Sequence, residues 1–128
     1  MFRHMLARLT GRVPQARGAI FCDYEGESVE WALAAVPPPG NASLSEYELK
    51  LCGAQVAASW LLLGERTLQA GGGQVHELEL RASHGTLIAR AVDEGYYVVL
   101  LLAPNARELT SRARVALRET ARELAAEM

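Results

Sequence analysis

Residues 44–70 read LSEYELKLCGAQVAASWLLLGERTLQA, and this stretch predicts a long helix that is apolar on two opposite sides. At about 100° per residue, its apolar side chains form two separate stripes. The first, here called the tyrosine stripe, contains Leu44, Tyr47, Leu51, Ala54, Ala58, Leu61 and Leu62, and the second, the tryptophan stripe, contains Leu49, Cys52, Val56, Trp60 and Leu63. A helix on the surface of a small domain needs only one apolar stripe. The second stripe therefore predicts a second packing layer, which a partner molecule would supply.

The two stripes lead to predictions for specific residues. We assign the tryptophan stripe, with the glycine inside it, to a homodimer interface formed by Leu49, Cys52, Gly53, Val56, Trp60 and Leu63. A narrow polar stripe beside it is predicted to bind another partner, through Glu48, Gln55 and Ser59. Ser43 and Glu46 have the spacing of a capping box and so predict where the helix begins. The run Gly71-Gly72-Gly73 predicts its end.

Composition limits the class of protein. The 128 residues suit one domain, predicted to extend over 1–128. The formal net charge of −2 gives no electrostatic footprint for nucleic acid or an anionic membrane. No apolar run approaches the length of a membrane span, so we expect no membrane insertion. Cys22 and Cys52 stand apart from any CxxC motif, which predicts free thiols and a cytoplasmic protein. We expect no metal, no cofactor and no catalytic residues.

The rest of the chain predicts an α+β domain. Apolar residues at helical spacing indicate a short first helix over 2–11, and a last helix follows Pro104-Asn105. Strands are predicted over 17–24, 28–34, 74–82, 86–92 and 96–103. Short turns between neighbouring strands imply antiparallel pairing and a five-stranded sheet with helices packed on it. Segments 28–34 and 74–82 alternate apolar and polar residues, which places them at the two edges. The unbroken apolar run from Val98 to Leu102 belongs in the middle.

This order of elements, α-β-β-α-β-β-β-α, resembles the roadblock (dynein light-chain) family, whose fold is roadblock/profilin-like. The residues that carry the resemblance are Gly18–Asp23 with Glu25-Gly26, Glu77–Leu80, Gly85–Ile88, Gly95 and Pro104-Asn105-Ala106. The resemblance implies a dimer in which the long helices of two protomers pack together and edge strands can extend the sheet. It also implies binding to a small Ras-like GTPase; bacterial members commonly accompany gliding-motility-type GTPases, and some accelerate GTP hydrolysis.

Alternatives remain open at this stage. The main interpretation is a homodimeric regulatory or scaffold module for a small GTPase, and the alternative is a stand-alone profilin-like sensing domain with a small molecule between sheet and helix. Glu77 and Glu79 suit either a basic partner or a solvated sheet edge. The arginines of the last helix could supply an arginine finger to a GTPase, but a solvated face paired with Glu119 and Glu123 is favoured. These arginines are Arg107, Arg114, Arg118 and Arg122.

Overall fold

A computed structural model describes residues 1–38, 43–93, 95–104 and 110–128. The predicted order of elements is confirmed. The three helices are α1 (Phe2–Arg12), α2 (Glu46–Gln69) and α3 (Thr110–Ala126), and the five strands are β1 (Ala16–Asp23), β2 (Ser28–Leu33), β3 (Glu77–Ala82), β4 (Gly85–Asp93) and β5 (Tyr96–Leu102). Among the described helices, none combines the length and the apolar content that crossing a bilayer requires.

The strands form one antiparallel sheet in the order β2-β1-β5-β4-β3. The two alternating segments lie at the edges, as predicted, and β5 lies in the centre. Ile20 of β1 is opposite Trp31 on one side and Val99 on the other. A central strand is covered on both faces and tolerates consecutive apolar residues, whereas an edge strand keeps a polar face.

The helices cover the two faces of the sheet unequally. On one face, α1 lies over β1 and β2 while α3 lies over β4 and β5, and their apolar sides close one large core that includes Leu6, Phe21 and Leu117. Ion pairs join α1 to α3, from Arg8 to Glu123 and from Arg12 to Glu119. On the other face, α2 alone packs over β1 and β2. The β3–β4 half of that face is therefore covered less completely, although Ala89 of β4 is buried in the same core as Val56 of α2.

The start of α2 differs from the prediction by two residues. Ser45, not Ser43, caps the helix, since its Oγ accepts from the backbone N–H of Glu48 and the Glu48 carboxylate accepts from the backbone N–H of Ser45, each at 3.0 Å. Both serines have an acidic residue three positions later, so the motif alone did not select between them. Ser45 has the extended backbone that an N-cap requires, with φ −86° and ψ 157°.

Other boundaries shift only slightly. β3 begins at Glu77 and not at residue 74, although the carbonyl of His76 still accepts from the backbone N–H of Ala91 at 3.0 Å. Two predicted features lie outside the described residues: the turn at Pro39 and Gly40, and the connection to the last helix at residues 105–109, which includes Arg107.

Candidate interaction surface

The side of α2 that faces the sheet is built for close approach. A Cβ on Gly53 would lie 2.6 Å from the buried Sγ of Cys22, so any side chain at this position would force the packing to shift. Next to it, the hydroxyl of Tyr97 donates to the carbonyl of Gly53 at 3.4 Å. Trp60 stacks on the ring of Tyr97, with centroids 5.7 Å apart. Small residues thus let the helix backbone lie almost on β1 while two aromatic rings fill the space further along.

This arrangement corrects the assignment of the two stripes. Leu49, Gly53 and Val56 are buried against the protomer's own sheet, and Cys52 and Trp60 are partly buried there. Of the predicted dimer residues only Leu63 is largely exposed. The physical reason is the glycine itself: the tryptophan stripe contains Gly53, and a helix lies closest to a sheet where its side chains are smallest.

The tyrosine stripe therefore forms the outward side of α2. We call its exposed members, Tyr47, Leu51, Ala54, Ala58, Leu61 and Leu62, the outer apolar face; the exposed fraction is 73% for Tyr47 and 67% for Leu61. Leu44 instead turns inward to the smaller core beneath α2. Singly exposed apolar side chains are common on proteins, but a row along one helix forms a patch of the kind found at interfaces.

A second apolar region lies on the same side of the sheet, beside the core that α2 covers. Leu78, Leu87 and Leu101 are only partly buried there, and Leu80 of the edge strand is 62% exposed. Leu80 is opposite Leu87 in the register of β3 and β4. We call these four leucines the open sheet face. The open sheet face adjoins α2, so it and the outer apolar face lie on the same side of the domain.

The three residues predicted to bind a partner are all exposed on α2. Gln55 and Ser59 lie one helical turn apart and flank the outer apolar face. Glu48 has a structural task as well, because its carboxylate completes the cap of α2, and the hydrogen bonds from Ser45 lower its pKa. The hydrogen bond from the backbone N–H of Ser45 fixes the position of the Glu48 carboxylate at the first turn of α2.

The acidic side of β3 is occupied within the chain. The carboxylate of Glu77 lies 3.6 Å from the Nε of Arg114 and 3.3 Å from a terminal nitrogen of Arg90. The carboxylate of Glu79 binds Arg114 of α3, and it also lies 2.7 Å from the Nε of Arg81. Both carboxylates therefore form ion pairs with arginines of the same chain. The same contacts hold Arg114 on β3, while Glu119 and Glu123, expected to pair along α3, pair with α1 instead.

A cleft of about 500 Å³ opens where the second half of α2 diverges from the sheet. Its floor includes Trp60 and Tyr97, and Gly64 lines it from the helix. Apart from its chain neighbours and the nearby backbone of α2, a Cβ on Gly64 would meet no atom of the described residues within 4 Å, in contrast with Gly53. A glycine in a helix interior costs about 1 kcal/mol relative to alanine. Within the part of the chain that the structure describes, no close contact explains this cost at Gly64.

Two groups near this site are shifted by burial. Burial raises the pKa of the Cys22 thiol to about 12, and the neighbouring Asp23 adds to that shift. Burial likewise raises the pKa of Tyr97. Both groups are thus neutral packing groups at physiological pH and unsuited to act as nucleophiles. Across the described residues, no group of three His, Cys, Asp or Glu side chains is arranged to hold a metal ion.

Comparison with known proteins identifies the fold. A Roadblock/LC7 domain from Streptomyces avermitilis matches with a TM-score of 0.79 and 13% identity, over 95% of this chain and 92% of that one. A structure of MglB with a tetrameric arrangement matches with a TM-score of 0.79 and 18% identity, over 97% and 85%. Profilin IA from Acanthamoeba castellanii matches with a TM-score of 0.54 and 15% identity, over 99% and 98%. No protein-family model and no curated protein matches the sequence. The chain therefore has the roadblock fold, as the resemblance predicted.

Proposed function

We propose that this protein is a non-catalytic, homodimeric regulatory module of the roadblock type that binds a small Ras-like GTPase in the cytoplasm. The observation that carries the proposal is the outer apolar face of α2, a row of exposed aromatic and aliphatic side chains on a fold whose relatives include MglB in a tetrameric arrangement.

Self-association would use the two apolar surfaces together. A stable interface buries about 800 Å² on each partner, and α2, with 24 residues, is about 36 Å long. A second α2 laid on the outer apolar face and the open sheet face would cover Leu51 and Leu62 of one protomer together with its Leu80. The free edge of β3 allows the sheet to continue into the second protomer, as the family resemblance implies.

The oligomeric state tests this step. Leu62→Asp places a charge in the outer apolar face, and Val115→Asp places the same charge on α3, where the valine is equally exposed (52% against 54%). Light scattering at micromolar concentration should give twice the chain mass for the unmodified protein and for Val115→Asp, but the single mass for Leu62→Asp. A monomer in all three cases would refute the dimer.

The GTPase would contact the rim of this dimer. Gln55 and Ser59 line the outer apolar face from one side, and in a symmetric dimer both copies face the same partner. Gln55→Arg and Ser59→Arg should weaken binding of a purified Ras-like GTPase from the same source, whereas Ser111→Arg on α3 should not. Glu48→Gln keeps a side chain that can still complete the cap, so it tests the carboxylate charge without removing the cap. Unchanged binding in every variant would place the partner site elsewhere.

The proposed mechanism is positioning of the GTPase switch loops, not donation of an arginine. Arg114 and Arg118 extend from a regular helix, and carboxylates of β3 lie beside both. An arginine finger contributes roughly 10³ to 10⁵ in rate, so its loss would be obvious in single-turnover GTP hydrolysis. Alanine at Arg107, Arg114, Arg118 or Arg122 should each change the rate only slightly. A loss of that size in one variant, with binding intact, would overturn the mechanism.

A further inference from the structure

Arginines outnumber the carboxylates around Glu77 and Glu79, at the β3 edge of the sheet. Three elements supply the side chains that we call the arginine cluster: Arg81 of β3, Arg90 of β4, and Arg114 and Arg118 of α3. Among the described residues, these four arginines form ion pairs with only these two carboxylates, so two positive charges are left over. The formal net charge of the whole chain is −2, so this surplus is local.

The two carboxylates do not satisfy all the donors of the cluster. The Nε of Arg114 is buried and has no hydrogen-bond partner among the described residues, since the Glu77 carboxylate lies 3.6 Å away. The Nε of Arg118 lies 3.7 Å from the same carboxylate. Both distances are longer than a hydrogen bond. Because a guanidinium group has five donors and no acceptor, the cluster has donors available for a further anionic group.

The spacing of arginines along α3 gives independent support for an anion here. Arg114, Arg118 and Arg122 follow one another at intervals of four residues, so successive guanidinium groups are neighbours on one side of the helix. Like charges at this spacing destabilise a helix. The β3 carboxylates offset the charge of Arg114 and part of that of Arg118. Arg122 is exposed and forms no ion pair with the described residues, so an anion beside it would relieve the repulsion.

We propose that the arginine cluster binds a phosphate group, which lies between Arg118 and Arg122 while Arg90 adds positive charge. A phosphate group fits because its charge, close to −2, matches the surplus of the cluster, and its oxygens accept the paired N–H groups of guanidinium. The side chain of Arg118 is 47% exposed, so a ligand can reach it in the folded protein. The site lies on the face of the sheet that carries α3, opposite α2, and is formed within one protomer, so the proposal does not depend on the GTPase.

The test is a titration of the full chain with inorganic phosphate, monitored by the carbon-detected Nε–Cζ resonances of the arginines. The pH is held at about 8, where a phosphate group carries close to two negative charges, and chloride keeps the ionic strength constant. We expect saturable shifts for Arg118 and Arg122 with half-saturation on the order of 1 mM, as befits a ligand of this size. Acetate, which has one negative charge, should bind about 5-fold more weakly or worse. Absence of a saturable shift, or equal affinity for acetate, would overturn the proposal.

Two variants of the cluster should change the affinity for phosphate in opposite directions. Arg118→Gln should weaken binding about 5-fold or more, whereas Arg112→Gln, an exposed position of α3 outside the cluster, should change it less than about 2-fold. Glu77→Gln removes a competing carboxylate and should strengthen binding about 3- to 10-fold. A gain in affinity is not expected from a purely structural effect, so this variant remains decisive if Arg118→Gln does not fold. Equal losses in Arg118→Gln and Arg112→Gln, or no gain in Glu77→Gln, would contradict the site.

Two further arms identify the source of the phosphate group and the unit that binds it. If vesicles of phosphatidylcholine with phosphatidic acid retain the protein, and Arg118→Gln releases it, the phosphate group belongs to a lipid. If the protein stays in solution while inorganic phosphate still shifts Arg118, the group belongs to a soluble molecule; either result supports the proposal. The Leu62→Asp monomer should bind inorganic phosphate with the same half-saturation as the unmodified protein. Loss of binding in that monomer would overturn a site formed within one protomer, while leaving the dimer in place.

Discussion

The two glycines of α2 provide a matched pair of substitutions with opposite expected outcomes. Alanine has a helix propensity about 1 kcal/mol better than glycine, and this gain is the same at both positions. At Gly64 the described residues beyond the adjoining backbone of α2 place no atom within 4 Å of the new Cβ, so Gly64→Ala should raise the free energy of unfolding by about 1 kcal/mol. The midpoint of thermal unfolding should rise by about 2 to 5 °C.

At Gly53 the same methyl group meets a packed core. The new Cβ would lie 2.6 Å from the Sγ of Cys22 and 3.4 Å from Ile20, and both neighbours are fully buried. Overpacking of this kind costs about 1 to 3 kcal/mol. After the propensity gain is included, Gly53→Ala should lower the free energy of unfolding by about 1 kcal/mol, which is about 2 kcal/mol below Gly64→Ala.

A double-mutant cycle with Cys22→Ala isolates the contact. Removing the sulfur should make Gly53→Ala less harmful by about 1 to 2 kcal/mol, a coupling typical of residues in contact. The assay is urea unfolding at one fixed protein concentration, because self-association would add a concentration-dependent term. If Gly53→Ala stabilised the protein as much as Gly64→Ala, or if the cycle showed no coupling, the close approach of α2 to β1 would be refuted.

Three other outcomes follow from the contacts described above. Ser45→Ala removes the N-cap of α2 and should lower the free energy of unfolding by about 1 kcal/mol, whereas Ser43→Ala should have little effect; equal losses in urea unfolding would contradict the cap assignment. Glu79→Gln removes the charge that holds Arg114 on β3, and since the pair is partly exposed we expect a loss below about 1 kcal/mol, reduced further at high salt. The thiol of Cys22 keeps its proton in the folded state up to about pH 12, while the unfolded thiol releases it near its ordinary value of 9.0. The unfolded state then binds fewer protons, so stability is fully present below pH 9 and falls as the pH rises from there towards 12. Cys22→Ala should flatten that decline in alkaline urea titrations, and an unchanged slope would contradict burial of the thiol.

The ion-pair partners of the charged side chains on α3 could not be chosen from the sequence. The spacing of arginine and glutamate along α3 predicted pairing within the helix, since residues four apart are neighbours. In the structure, Glu123 and Glu119 pair with α1, and Arg114 pairs with β3. Neighbouring elements offer partners that spacing along one helix does not reveal. Only the packing of α3 between α1 and the sheet edge selects among them.

The sequence by itself determined the order of the elements and the positions of the strands in the sheet. Alternation at 28–34 and 74–82 marks edge strands, and the unbroken apolar run of β5 marks the centre, because a pleated strand exposes every second residue unless both faces are covered. The sequence also showed that α2 has two apolar stripes. Only the tertiary structure decided which stripe faces the sheet, because hydrophobicity is similar on both. Gly53 carried the missing signal: a helix packs closest on the side where a side chain is absent, and that leaves Tyr47 and Leu62 facing outward.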